Sequence, residues 1–154
     1  MTQYTGYYQS PIGIIEVITD EDYLYEIKFV DKITHSSFYP KILTQTLNQL
    51  DEYFNGVRTN FNLEYKLEGT EFQILVWNAL SKIPYGHQVS YKEIATSIGR
   101  DKASRAVGNA NNKNKLSIII PCHRVVGSNK KLIGYEWGLD RKQWLLEHEK
   151  QYRK

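Results

Sequence analysis

Hydrophobic positions change their period along this chain, and the changes divide it in two. Ile12 to Thr19 reads as a strand, Asp20-Glu21-Asp22 as a turn, and Leu24-Tyr25-Glu26-Ile27-Lys28-Phe29-Val30 alternates as a second strand. Tyr4 to Tyr8 adds an edge strand. Ile42, Leu43, Leu47, Leu50 and Phe54 then recur at helical spacing, with Pro40 at the first helical position and Asn55-Gly56 as the stop. Residues 57–68 look extended, a third or fourth strand. From Thr70 the pattern is helical. Thr70-Glu71-Phe72-Gln73 and Ser90-Tyr91-Lys92-Glu93 are capping boxes, and an apolar stripe of Phe72, Leu75, Val76, Ala79 and Leu80 follows the first. Gly99 ends the second helix. A third runs from Lys102 to about Asn111, capped by Asp101, with Ala103, Ala106, Val107 and Ala110 on one face. Two short helices joined by a Gly-containing turn suggest a helix-turn-helix. The polar loop Asn112–Lys115 leads into a strand-like run, Ile118-Ile119-Ile120. A last helix spans about Leu139 to Lys150. The fold class is α+β: a small antiparallel sheet with a helix over residues 1–68, then a mainly helical domain over 69–154.

Composition narrows the class. The chain has 154 residues and a net charge of +3. Fifteen of its twenty Lys and Arg residues lie in 77–154, against six of its seventeen acids, so the back half is the one suited to a polyanion. A solvated basic face with no ligand is the competing reading. The start has no basic segment followed by an apolar one, and no apolar run approaches a membrane span. One cysteine excludes an internal disulfide and a CxxC site, and a free thiol suits a reducing compartment, so a cytoplasmic protein is expected.

That cysteine carries the chemistry. Cys122 follows Pro121 and precedes His123 and Arg124; a thiol beside such groups ionises and attacks, whereas a structural Cys is an apolar filler. Neighbours on an extended backbone point apart, so His123 reaches the sulfur through a water unless Pro121 forces a turn. The imidazole needs an orienting carboxylate, and spacing leaves Glu147 and Glu149 both open. Arg105 stands among short residues (Ala103, Ser104, Ala106, Gly108), which suits a helix lying tight in a groove, or is an ordinary exposed Arg. Tyr91 opens a helix at its anion-favouring end or is a packing ring. Asn109, Asn111, Asn112 and Asn114 are phosphate contacts or caps.

Pro121-Cys122-His123-Arg124-Val125, preceded by Ser104-Arg105-Ala106-Val107-Gly108-Asn109-Ala110 and followed by Trp144-Leu145-Leu146-Glu147-His148-Glu149, closely resembles the methylated-DNA–protein-cysteine methyltransferases, the O6-alkylguanine-DNA alkyltransferases. The resemblance is strong over about 69–150; the front half matches in length and layout. It implies a ribonuclease-H-like front domain and a back domain that binds DNA and accepts the alkyl group. It implies Cys122 as acceptor, His123 as its base, Glu149 as the orienting carboxylate and Asn114 as the hinge of the Cys loop. Tyr91 then rotates the nucleotide and donates to the guanine, Arg105 fills the vacated stack, and Tyr135 walls the pocket. Ser90, Ala106, Gly108 and Asn109 line the DNA face, while Arg124, Val125, Glu136 and Trp137 lie on the segments whose backbone reads the base. The partner is double-stranded DNA carrying alkylated bases, the protein a monomer consumed once per lesion, with no cofactor. Some relatives hold a zinc in the front half; with only His35 there, no metal is expected.

The chain departs from the family pattern twice. Glu136-Trp137 replaces two small residues after Tyr135, which changes pocket size or adds a stacking lid. Lys115 and Ser117 stand where many relatives have prolines. Three competing functions follow: a lesion-binding alkyltransferase-like protein without transfer, a Cys-His hydrolase, and a site-specific regulator. Retained alkyl on the protein, substrate turnover, and high affinity for one undamaged sequence separate them.

Overall fold

The computed structural model describes residues 2–34 and 38–153. His35 lies outside them. The chain divides into two compact units, Met1–Glu68 and Gly69–Lys154.

In the first unit β1 (Tyr4–Ser10), β2 (Gly13–Thr19) and β3 (Leu24–Val30) form an antiparallel meander in that order. The first turn is closed by Ser10, whose hydroxyl donates to the Gly13 carbonyl (2.7 Å). The second is closed by the Asp20 carboxylate, which accepts from the Asp22 and Tyr23 amides at 2.8 and 2.7 Å, as Asx turns do. Helix α1 (Lys41–Phe54) buries Ile42, Leu43, Leu50 and Phe54. Leu43 and Leu50 are fully buried, each worth about 1.5–3 kcal/mol of transfer free energy. Gly6 lets α1 approach the sheet, because a Cβ there would stand 3.0 Å from the Leu43 side chain. Pro40 sits one position earlier than expected, at the cap, and its carbonyl accepts from the amides of Leu43 and Thr44. Residues 57–68 do not make the expected strand. They follow an irregular path touching the sheet at one bridge, Leu24 to Tyr65, because only the Glu64 and Lys66 main chains meet Leu24.

In the second unit α2 (Glu71–Leu80) and α3 (Tyr91–Ser97) start at the two capping boxes. Thr70 Oγ1 accepts from the Gln73 amide (3.1 Å) and Ser90 Oγ from that of Glu93 (3.0 Å), and both return bonds are made. Gly99 takes φ +74° and ends α3 in the left-handed region. Helix α4 (Ser104–Asn112) starts later than expected. Asp101 does not cap it: Ala103 holds that position without a side-chain bond, and residues 101–102 remain in the turn. Arg105 therefore stands in the first turn of α4. Trp77 of α2 is buried and donates Nε1–H to the Ala110 carbonyl (2.8 Å), which fixes α2 against the end of α4. Residues β4 (Val89–Ser90) and β5 (Val125–Val126) pair in parallel and tie the start of α3 to the segment after Cys122. Helix α5 (Leu139–Tyr152) closes the unit. Among the described residues no helix is long and apolar enough to cross a membrane.

Candidate active site

The run before Cys122 is not the expected strand. Ile118 takes φ +74°, the Ile119 amide donates to the Ser117 carbonyl (2.8 Å) and the Ile120 amide to that of Leu116 (2.9 Å). The segment is a tight turn, and its apolar residues are core: Leu116, Ile118 and Ile120 are buried. Asn114 holds the turn from within. Its Nδ2 donates to the Ile120 carbonyl (2.8 Å) and its Oδ1 accepts from the Leu116 amide (3.0 Å). Pro121, at ψ 65°, then turns the chain into a single 3-10 turn, Cys122–Arg124. The alternation that would send Cys122 and His123 to opposite sides of a strand is thus lost.

Cys122 is only 4 % exposed, and burial pushes its thiol up to about 11, partly opposed by a hydrogen bond from the Asn114 side chain and by the charge of Lys142. His123 is fully buried, and burial lowers its pKa against the opposing pull of Glu149. Its Nε2 lies 2.7 Å from Glu149 Oε2. Burial alone would raise the Glu149 carboxyl, but His123 and Arg124 outweigh it and hold it well below the usual carboxylate range. An ionised Glu149 can only accept, so Nε2 carries the proton and Nδ1 presents its lone pair. Nδ1 is buried and has no protein partner. The arrangement is an imidazole oriented by a carboxylate, with its other nitrogen left without a protein partner. Glu147, the other candidate carboxylate, is exposed and pairs with Gln143.

Arg124 was expected on a segment whose backbone reads the base; its side chain turns inward. It donates from Nε and Nη2 to the two Glu149 oxygens at 2.8 and 2.9 Å, and from Nη1 to the Ile83 carbonyl at 2.7 Å. Its amide is also engaged, on the Pro121 carbonyl. The reason is local: the 3-10 turn buries His123 and Arg124 together beneath α5, where Glu149 is the one carboxylate they share. Val125 is equally buried.

Five of the other expected residues line a separate, open cleft of about 520 Å³. Ser90, Tyr91, Arg105, Gly108 and Asn109 line it, with Ile133 and Gly134 opposite. Cys122 does not line it. Arg105 and Asn109 are exposed, and so is Ala106, outside the cleft lining. Gly108 faces the Tyr91 ring, and a Cβ there would stand 3.8 Å away, in ordinary contact. The Tyr91 hydroxyl lies within bonding distance of the Ile133 and Gly134 carbonyls (3.0 and 3.2 Å). Burial, with a contribution from Cys122, raises its pKa. Tyr135 is buried with a hydroxyl that has no partner, and burial, with Cys122 beside it, holds it protonated.

Sequence reasoning missed Lys142. It is buried on α5 and donates from Nζ to the same two carbonyls that face Tyr91, Ile133 (2.9 Å) and Gly134 (3.2 Å). Burial lowers it to about 8, against the opposing pull of Cys122. The signal was present: Lys142, Leu145, Leu146 and Glu149 fall on one helical face, so a lysine stood on the stripe that must be buried. The two departures from the family pattern also meet. Trp137 donates Nε1–H to the buried Ser117 hydroxyl at 2.8 Å, so the bulky residue after Tyr135 is tied to the turn that carries Cys122. Glu136 is exposed.

Comparison with known proteins identifies the family. The family described as 6-O-methylguanine DNA methyltransferase, DNA binding domain, matches residues 71–151, and its ribonuclease-like domain matches residues 3–67. The methylated-DNA–protein-cysteine methyltransferase of Methanosarcina acetivorans is 46% identical over 152 residues, covering 95% of this chain and 97% of that one. That of Mycolicibacterium paratuberculosis is 44% identical, covering 93% and 90%. The crystal structure of Mycobacterium tuberculosis O6-methylguanine methyltransferase superposes with a TM-score of 0.90 at 39% identity, covering 99% of this chain and 96% of that one. The structure of the Mycobacterium tuberculosis protein in complex with DNA gives 0.88 at 42%, covering 97% and 93%. With both family domains matched along nearly its whole length, the chain belongs to the methylated-DNA–protein-cysteine methyltransferase family.

Proposed function

We propose that this protein repairs DNA by moving the alkyl group of O6-alkylguanine, and of O4-alkylthymine where present, irreversibly onto Cys122. The observation that carries the reading is the Cys122–His123–Glu149 arrangement, with Nδ1 of His123 free and Nε2 committed. His123 takes the thiol proton on Nδ1, directly or through a water. The thiolate attacks the alkyl carbon, the carbon–O6 bond breaks as the sulfur–carbon bond forms, and the departing guanine takes a proton from the Tyr91 hydroxyl, which solvent restores. The product is a thioether, so each molecule acts once, as a monomer, in the cytoplasm, without metal or cofactor.

The burial of Cys122 supports an extrahelical substrate, since a base edge inside a duplex cannot reach a thiol 4 % exposed. Helices α3 and α4 are read as a helix-turn-helix that seats on the duplex, with Ser90, Ala106, Gly108 and Asn109 on the DNA face and Arg105 standing in for the flipped base. Unstacking costs a few kcal/mol, and a planar, stacking guanidinium offsets part of it. Tyr91 and Tyr135 wall the base, and the backbone at 122–125 and 135–138 reads its edge. For Tyr91 to donate to the guanine, its hydroxyl must leave the carbonyls of Ile133 and Gly134. Arg105→Ala is expected to slow repair of a duplex at least tenfold more than reaction with the free base O6-methylguanine, measured in single-turnover assays. Equal losses on both would remove the finger role.

The function itself is tested by intact-protein mass spectrometry after mixing with a duplex carrying one O6-methylguanine. The expected result is one gain of about a CH₂ unit, mapped to Cys122 and stopping at one equivalent. Tight lesion binding with no mass gain would make the protein a lesion sensor instead.

A further inference from the structure

We infer that Arg124 is a positioning residue that keeps Glu149 an unprotonated acceptor, so that the proton leaving Cys122 stops on His123. The inference rests on the transfer reaction proposed above and concerns where its proton goes. Glu149 is fully buried yet accepts four N–H groups: His123 Nε2 (2.7 Å), Arg124 Nε (2.8 Å) and Nη2 (2.9 Å), and the Gly86 amide (3.2 Å). The guanidinium meets the carboxylate as a two-pronged fork, the geometry that only arginine supplies. Arg124 is itself held by the Ile83 carbonyl and lies over the Tyr85 ring, 5.6 Å from its centroid.

This changes what Glu149 does. A carboxylate paired only with an imidazole is a competent proton acceptor, and the proton between them is shared. A carboxylate whose oxygens are already forked by a guanidinium is a weak base. It orients His123 and stabilises the imidazolium, but leaves the proton where it is. The step balances on the imidazole alone: the sulfur loses its proton, Nδ1 gains it, Nε2 keeps its own, and Glu149 stays anionic throughout. A purely structural ion pair would hold the turn in place without affecting the protonation of His123.

The charged and titratable groups around the pair are few. His123 faces Glu149 and Lys142 from α5 and Arg124 from its own turn. Glu149 is also felt by Tyr85, in the turn before β4, and by Tyr135. Arg124 opposes protonation of both His123 and Glu149. Its removal therefore makes the base easier to protonate, and the acid limb of the reaction moves to higher pH.

The test compares wild type, Arg124→Gln and Arg124→Lys between pH 5 and 9. One reaction is methyl transfer from an O6-methylguanine duplex; the other is alkylation of Cys122 by iodoacetamide, which needs no DNA. Arg124→Gln is expected to shift the acid limb of both upward by about one pH unit, a roughly tenfold loss at pH 6 beyond that at pH 8. Arg124→Lys keeps the charge but loses the fork; its limb stays near wild type while its rate falls about tenfold. An unshifted limb in Arg124→Gln overturns the inference. Should that variant not fold, Arg124→Lys at the wild-type rate overturns it. Failure of wild type to transfer methyl, with the iodoacetamide limb shifting as stated, would refute the proposed reaction and leave the role of Arg124 standing.

Discussion

Cys122→Ser is expected to abolish alkyl transfer, by at least about 10³-fold, while leaving affinity for duplex DNA within about twofold of wild type. The nucleophile is lost because a hydroxyl in this site has no comparable access to an anion. The groove residues are untouched, since Cys122 does not line the cleft that holds Tyr91 and Arg105. The pH dependence of the wild type then separates two routes to the thiolate. Burial holds the thiol at about 11, so roughly one molecule in 10⁴ would be ionised at pH 7 if the sulfur titrated alone. Its rate would climb about tenfold per pH unit from 6 to 9. With His123 as base, the rate instead rises through the pKa of the imidazole, which lies below its ordinary value, and is flat above it. A plateau from pH 7 upward in single-turnover transfer supports His123; a continuous climb would remove it from the mechanism. Transfer persisting in Cys122→Ser or Cys122→Ala would end the assignment of the acceptor.

Much of this was legible in the sequence because the signals are local. The two capping boxes place the starts of α2 and α3 from four residues each, and the period of Ile42, Leu43, Leu50 and Phe54 gives α1. The Pro121–Val125 motif marks the reactive segment. What failed were inferences from the apolar character of a run. Ile118-Ile119-Ile120 has strand composition but sits in a turn, because Asn114 supplies a buried amide that satisfies the turn's main chain. Residues 57–68 had the same ambiguity. The partner of the Arg124 side chain was hidden for a different reason. Glu149 lies 25 residues on, and nothing local in the motif says that the guanidinium is buried against a carboxylate. The contact of Trp137 with Ser117 was equally invisible, although each residue had been singled out alone.

Glu149→Ala is expected to be the most destabilising single change in the second unit. It removes the acceptor of four N–H groups, three of them buried, and leaves the Arg124 guanidinium without its carboxylate. Breaking a buried pair from one side costs about 3–5 kcal/mol, far more than the pair contributes relative to an apolar substitute. For a unit of this size that lowers Tm by about 15 °C or more. Glu149→Gln separates the structural part from the chemical part. The amide keeps the shape and part of the bonding, so its Tm falls less, but it carries no charge to stabilise an imidazolium, and transfer drops about 10³-fold. The same network makes the protein acid-labile. The Glu149 carboxyl is depressed in the folded state, so its contribution is complete above the ordinary carboxylate range and is lost as pH falls toward the folded value. His123 is depressed too, so the unfolded chain gains a proton that the folded one refuses, and stability begins to fall below about pH 6.5. Wild-type Tm should therefore decline in two stages, the first governed by His123 and the second by Glu149. In Glu149→Gln the second stage should shrink. A variant with wild-type Tm, rate and acid profile would show that the buried carboxylate neither holds this turn nor serves its histidine.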